Sequence, residues 1–296
     1  MGSGSKSGNL FKLAISIVLV SFSILCIIPI VSIISISLSN EADIVKYGYR
    51  LFPVRPSTTA YEFIFRNPVQ ILRAYSISVS VTVTGTILSL IIISMFAYAI
   101  SRTDFIYRRK LSFYVFFTML FNGGLVPWYM LISNGLHLKN TFWVLVIPYL
   151  TNVWFILLLR TYFQKIPVAL LESARIDGSN EIRTYFSIVL PLSKPALATV
   201  GLFITLNYWN DWWLSMLFIE KQKLIPLQYL LARMMRDLTE LLQNMTEMPT
   251  GTSMQQFPNE SARMAMCLLA AGPMLFVFPF FQKYFVKGLT VGAVKG

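Results

Sequence analysis

PVALLESARIDGSNEIRTYFSIVLPLSKP, residues 167–195, is the polar, charge-rich stretch of this 296-residue chain that reads as a docking surface, and it lies between two apolar runs. Pro167 suits the first turn of a helix, and Leu170, Leu171 and Ala174 recur behind it at helical spacing. The pattern predicts a short amphipathic helix to about Asp177. Gly178 supplies the left-handed conformation that stops such a helix. Ser179 or Asn180 then caps a second one, whose apolar residues Ile182, Tyr185, Phe186 and Val189 keep the three-four spacing until Pro191 ends it. Two short helices bent at a glycine make a compact knob.

Outward from the knob, a hydrophobic content of 55% with only 13% charged residues points to lipid. Six apolar runs, 13–38, 74–100, 111–133, 141–159, 196–219 and 264–282, are each near or above the roughly 20 residues that cross a bilayer as a helix. Only the fifth carries a charge, Asp211. The expected fold is all-α and polytopic. It has a segment 1–12, a six-helix transmembrane domain over 13–285 that carries the 167–195 loop, and a tail 286–296. The first run is too long for a signal-peptide core and lacks a small-residue cleavage site, so it stays as a membrane helix. Residues 1–9, rich in Gly, Ser and Lys, read as disordered or as a cloning remnant. Cys26 and Cys267 fall inside apolar runs, where a thiol is usually a small buried hydrophobe, and support no disulfide. Prolines 29, 127, 148, 273 and 279 are expected to kink or interrupt helices.

A net charge of +12 raises nucleic acid as a partner, but basic residues also collect in cytoplasmic loops, and the short loops favour that reading. Segment 101–110 holds Arg102, Arg108, Arg109 and Lys110, whereas 134–140 holds only Lys139. With six spans, this places both termini and the knob in the cytoplasm of a multi-pass plasma-membrane protein and leaves nucleic acid out.

No segment matches the glycine loop ending in Gly-Lys-Ser/Thr that cradles phosphate, so ATP-driven work needs another subunit. The sole histidine, His137, reads as a solvated loop residue. Without a second histidine, a cysteine pair or a carboxylate pair within the spans, neither a metal site nor a proteolytic one can be assembled, and an enzyme is not expected. There is no arginine-rich span and no filter-like loop between spans, which speaks against a channel.

Glu172-Ser173-Ala174, then Asp177-Gly178, Leu190-Pro191-Leu192 and Pro195, resemble in type and spacing the EAA loop of bacterial ABC-importer permeases. The likeness covers nearly the whole chain and is greatest to the carbohydrate-uptake subfamily that includes maltose importers. Within it, NGGLVPWYMLI at 122–132, YWNDWW at 208–213 and YFVKGLTVGAVKG at 284–296 resemble the polysaccharide and oligosaccharide importers. Ser173 and Ser179 stand where alanine is commoner. The resemblance implies a heterodimer with a second permease, two ATPase subunits that hold ATP and magnesium, an extracellular solute-binding protein and an oligosaccharide cargo, with no cofactor on this chain. It also implies that Glu172, Ala174, Asp177 and Gly178 couple ATP-driven closure to the membrane helices, with Arg175 and Arg183 adding charge pairing to the ATPase. The resemblance further implies that the tail reaches between the ATPase subunits, where Gly288, Gly292 and Gly296 would allow close backbone approach, against the alternative of a frayed end.

The fifth run is the candidate substrate path. On a helical wheel Asn207, Asn210, Asp211 and Ser215 share one arc flanked by Tyr208 and Trp212, while Trp209 and Trp213 point to the opposite arc and to packing. A carboxylate within the bilayer normally faces a cavity or a partner, and no other span carries a base. Sugar hydroxyls take hydrogen bonds from such a stripe while the ring's apolar face lies on an aromatic. Helix gluing is the even alternative. Asn122 with Gly123 and Gly124, and Asn152 with Trp154, are secondary candidates. In 220–263, Leu227, Leu230, Leu231, Met234, Met235, Leu238, Leu241, Leu242 and Met245 form a helical stripe, with Arg233, Arg236, Asp237 and Glu240 on the polar side. The rival readings are a permease for a non-sugar solute such as an amino acid or phosphonate, an ion-coupled carrier, and an assembly scaffold.

Overall fold

Apolar sequence becomes helix almost throughout. The computed structural model describes residues 4–247 and 258–293, and among them extended pairing is limited to an isolated bridge between Ser39 and Pro56. Contacts divide the chain into two units, Met1–Pro68 with Arg233–Gly272, and Val69–Ala232 with Pro273–Gly296. Among the described residues three continuous helices are long and apolar enough to cross a membrane, and three pairs bent at short breaks pass the same test together, giving up to six spans if each pair is one.

In the first unit, α1 (Gly4–Ser37) runs unbroken through Pro29. No residue of its most apolar window is buried in the protein, so lipid or a partner covers it. Cys26, expected to be buried, is therefore exposed, as is Cys267. Beyond α1 the chain folds on polar contacts. Asn40 Oδ1 accepts from Ala42 N and starts α2 (Glu41–Tyr47), and Arg55 grips Asp43 with Nε and Nη2 at 2.7 and 2.6 Å. Ser37 Oγ lies 3.0 Å from Tyr61 Oη on α3 (Thr59–Ile64).

The second long helix, α4 (Pro68–Ser101), buries Ala74, Ser78, Gly85, Ser89 and Ala97, small residues that let neighbouring helices come close. The third apolar run departs from the single helix expected over 111–133. It breaks into α5 (Arg108–Leu120) and α6 (Leu125–Met130), the latter continuing as a π-helical turn to Gly135, and the axes turn by 113°. The cause is local: Asn122 Oδ1 accepts from Gly124 N at 2.9 Å, and Gly124 has φ 87°, a conformation that favours glycine. The fourth run likewise begins with 3₁₀ turns at Phe142–Leu145 and Ile147–Tyr149 around Pro148. Only then does α7 (Val153–Phe163) form, capped by Asn152.

The knob matches the sequence closely at its start. Helix α8 (Val168–Ile176) follows Pro167, Gly178 has φ 78°, and Asn180 Oδ1 accepts from Arg183 N at 2.8 Å to open α9 (Glu181–Thr184). Pro191 does not end the second helix, however. A π-helical turn over Tyr185–Val189 leads into α10 (Leu190–Leu192), because the widened turn relieves the proline ring of its clash with the carbonyl four residues back. The axis then bends by 83° into α11 (Lys194–Asn210).

The fifth run is not one helix either: α11 stops at Asn210, Asp211 is extended, and α12 (Trp213–Phe218) starts afresh. The amphipathic stripe forms α13 (Leu227–Glu247). Leu227, Leu230, Leu231 and Leu238 are buried, with Arg233, Arg236, Asp237 and Glu240 exposed. The side chains of Leu241, Leu242 and Met245 lie outside the described residues.

The last helix, α14 (Glu260–Ala293), is continuous through Pro273 and Pro279. Its start is capped from far away in sequence. The buried Glu41 carboxylate accepts from Glu260 N at 2.9 Å, Ser261 N at 3.2 Å and Ser261 Oγ at 2.8 Å, a negative charge where helix amides and the dipole favour one.

Candidate functional site

Two places in the second unit hold most of the residues singled out in the sequence: the knob, and a cavity beside the break in the fifth apolar run.

In the knob, α8 turns Leu171 and Ala174 inward, where both are buried. Glu172, Asp177, Gly178 and Arg183 are left exposed. The tip is apolar as well as charged, with Ile176 86% and Ile182 65% exposed. Arg175, expected to pair with a partner, also binds Asp104 and Glu181 within its own chain. That engagement raises the guanidinium further above its ordinary value, through hydrogen bonds to Glu181 and Asp104.

The cavity has a volume of about 440 Å³ and is lined by Asn152, Asn207, Asn210, Asp211, Trp212 and Trp213 among others. The expected arc does not survive the break at Asp211. Ser215 is fully buried on α12, whereas Trp213, placed on the far arc by the wheel, lines the cavity next to Trp212. A helical wheel holds only while the helix does. Trp209 is buried, in keeping with a packing role. Tyr208 reaches the cavity wall but is 4% exposed. Its hydroxyl donates to Val146 O at 2.9 Å and lies 3.2 Å from Ser89 Oγ, while its ring rests on Gly85, where an added Cβ would come within 2.5 Å.

Asp211 makes the break and is held by it. Oδ2 accepts from Leu214 N at 3.2 Å, and Oδ1 accepts from the Tyr149 hydroxyl at 3.0 Å. Tyr149 carried no signal in the sequence, since 62 residues separate the pair. Asn152 Oδ1 is occupied by Trp154 N, leaving its amide nitrogen for a ligand. Asn122 does not line this cavity. Amides, one carboxylate and two indoles at right angles suit a hydroxyl-rich solute. Among the described residues no cluster of His, Cys, Asp or Glu would hold a metal. Gly288 and Gly292 sit within α14, which runs to Ala293; Gly296 and the rest of 294–296 lie outside the described residues.

Helices long and apolar enough to cross a membrane, a two-helix knob and a polar cavity at a broken helix are the features of a membrane permease subunit. No protein-family model matches the chain. It is 37% identical to the polygalacturonan/rhamnogalacturonan transport system permease protein YtcP of Bacillus subtilis (strain 168), covering 97% of this chain and 99% of that protein. It is 28% identical to the trehalose/maltose transport system permease protein MalG of Thermococcus litoralis, covering 93% of each. Among solved structures it superposes on a chain of a bacterial ABC transporter involved in the import of the acidic polysaccharide alginate. That match has a TM-score of 0.78 and 30% identity, covering 96% of this chain and 100% of that one. The chain belongs to the permease subunits of ABC transport systems for sugars and polysaccharides.

Proposed function

We propose that this chain pairs with a second permease to form the path by which an oligosaccharide, delivered by an extracellular binding protein, enters the cell. ATP and magnesium bind to two separate ATPase subunits. The knob lies in the cytoplasm with both termini and enters a cleft on one ATPase, with Glu172, Asp177 and Gly178 at the contact and Arg183 free to pair. When the ATPases close, the knob is dragged with them and the helices switch from inward-facing to outward-facing. Asn207, Asn210, Asp211, Trp212 and Asn152 then line this chain's share of the path, and the α14 end near Gly288 and Gly292 docks between the ATPases.

The observation that carries the reading is the left-handed Gly178 between two capped helices, with an exposed apolar and acidic tip. The relatives named for polygalacturonan and alginate support a saccharide cargo. The test is reconstitution with both ATPases, the second permease and the binding protein. Gly178→Pro or Glu172→Lys is expected to leave assembly intact and abolish uptake; normal transport by either variant refutes the coupling role. Asp211→Asn is expected to impair uptake, and an unchanged rate and affinity remove the path assignment.

A further inference from the structure

The knob is fastened to α4 by a ladder of side chains that no part of the coupling reading requires. Ser94 Oγ and Tyr185 Oη lie 2.7 Å apart, and Tyr98 Oη donates to Glu181 Oε2 at 2.6 Å. Ser94 and Tyr98 are four residues apart on α4, as are Glu181 and Tyr185 in reverse order. The two helices therefore run antiparallel with one bond per turn. The Tyr98 and Tyr185 rings fill the space between these bonds, with centroids 5.4 Å apart.

At the end of the ladder Glu181 uses its other oxygen. Arg175, from α8, reaches Glu181 Oε1 at 2.5 Å and also binds Asp104 in the loop after α4. Arg102 Nη2 sits 3.3 Å from Asp104 and 3.7 Å from Glu181. Both knob helices and the end of α4 thus meet at one cluster of two arginines, two carboxylates and a tyrosine. Burial pushes both carboxyls up, but hydrogen bonds, from Arg175 on both and from Tyr98 on Glu181, together with a backbone bond on Asp104 and the charges of Arg102 and Arg175, hold them below their ordinary values. The cluster itself borders a cavity of about 340 Å³, walled in addition by Met95, Ala99, Phe105 and Ile182.

The covalent route from the knob to α11 has a sharp bend. It passes through Ser193, where the axis bends by 83° and the buried hydroxyl has no hydrogen-bond partner. Half-exposed ion pairs add little stability; what this cluster fixes is direction.

We propose that Tyr98, Asp104, Arg175 and Glu181 form a latch that makes the knob and the end of α4 one rigid body, so that a pull on the knob is delivered to α4 as well as to α11. The latch rests on the coupling reading and adds the route that the load takes; its members are positioning residues. Without it, the knob rocks into the adjoining cavity and α4 stays behind.

The test uses the whole importer in nanodiscs, with Cys26 and Cys267 replaced by Ser and nitroxides at Ile106→Cys and Ser187→Cys. Both label sites are exposed. Electron-electron distances are measured without nucleotide and after trapping with Mg-ATP and vanadate, alongside the stimulation of ATP hydrolysis by the purified binding protein. The parent is expected to give the same narrow distribution in both states. Asp104→Arg is expected to give a broad distribution that shifts on trapping, and to lower the stimulated-to-basal ratio by about fivefold or more. Arg175→Asp in the same chain restores both. A label distance that changes between states in the parent overturns the latch, as do single variants with the parent's distances and ratio. A parent complex that assembles but shows no stimulation overturns the importer reading itself, which separates the two failures.

Discussion

Gly85→Ala puts a carbon where the Tyr208 ring lies. The new Cβ would stand 2.5, 2.6 and 2.7 Å from three ring atoms, so the ring must retreat by about 1 Å to reach ordinary contact. Tyr208 is buried and its hydroxyl is spent on Val146 O and Ser89, so retreat stretches both bonds. Overpacking costs about 1–3 kcal/mol, and a buried carbonyl that loses its donor about 1–3 kcal/mol more. A net loss of roughly 3 kcal/mol is expected after partial relaxation. The measurement is denaturant titration of the purified complex in mixed micelles, followed by tryptophan fluorescence. Tyr208→Phe alone is expected to cost about 1–2 kcal/mol through the lost hydroxyl. In the Gly85→Ala background it costs less, because the bond is already broken, giving a coupling of about 1 kcal/mol. Gly85→Ala within about 0.5 kcal/mol of the parent, or strict additivity of the pair, refutes the reasoning.

Other outcomes follow from single contacts. Glu41→Ala removes the cap of α14 and is expected to destabilise its first turn by about 2 kcal/mol, read as faster amide exchange at residues 260–264; unchanged exchange contradicts the cap. Gly178→Ala meets open space but keeps φ 78°, so only backbone strain of about 1–2 kcal/mol applies, seen as slower uptake at full expression and unchanged ATPase pull-down. The Arg55 hydrogen bond outweighs burial and holds the Asp43 carboxyl below its ordinary 3.8. The pair's stabilisation is thus complete above that value and fades as pH falls through the lower folded one. Exchange protection around Asn40–Arg55 is expected to drop on acidification below about pH 4, and Arg55→Ala should abolish that step.

Where chemistry is local the sequence was enough. Proline, glycine and asparagine at 167, 178 and 180 act within one turn, and the structure places each as its side chain dictates. Six apolar runs gave the membrane class for the same reason. The breaks were harder to see. Asn122-Gly123-Gly124 and Asp211 lie inside runs long enough to span unbroken, and a wheel drawn through them moves Ser215 and Trp213 to the wrong places. Long-range pairs left no pattern at all: Tyr149 with Asp211, or Arg175 with Asp104 across 71 residues, depend on how the helices meet. Asp104, the lone acid in a basic loop, was the nearest thing to a sign.

The cap on α14 also carries a schedule. Glu41 and the amides it receives are 219 and 220 residues apart, so most of the chain must be synthesised before they can meet. Until then the carboxylate has no amides to hold, and the segment after α1 is left incomplete on its side of the bilayer. Closure of that bond therefore marks the arrival of the last helix, and a truncated or misinserted chain would present an unsatisfied acid and a loose segment to proteolysis.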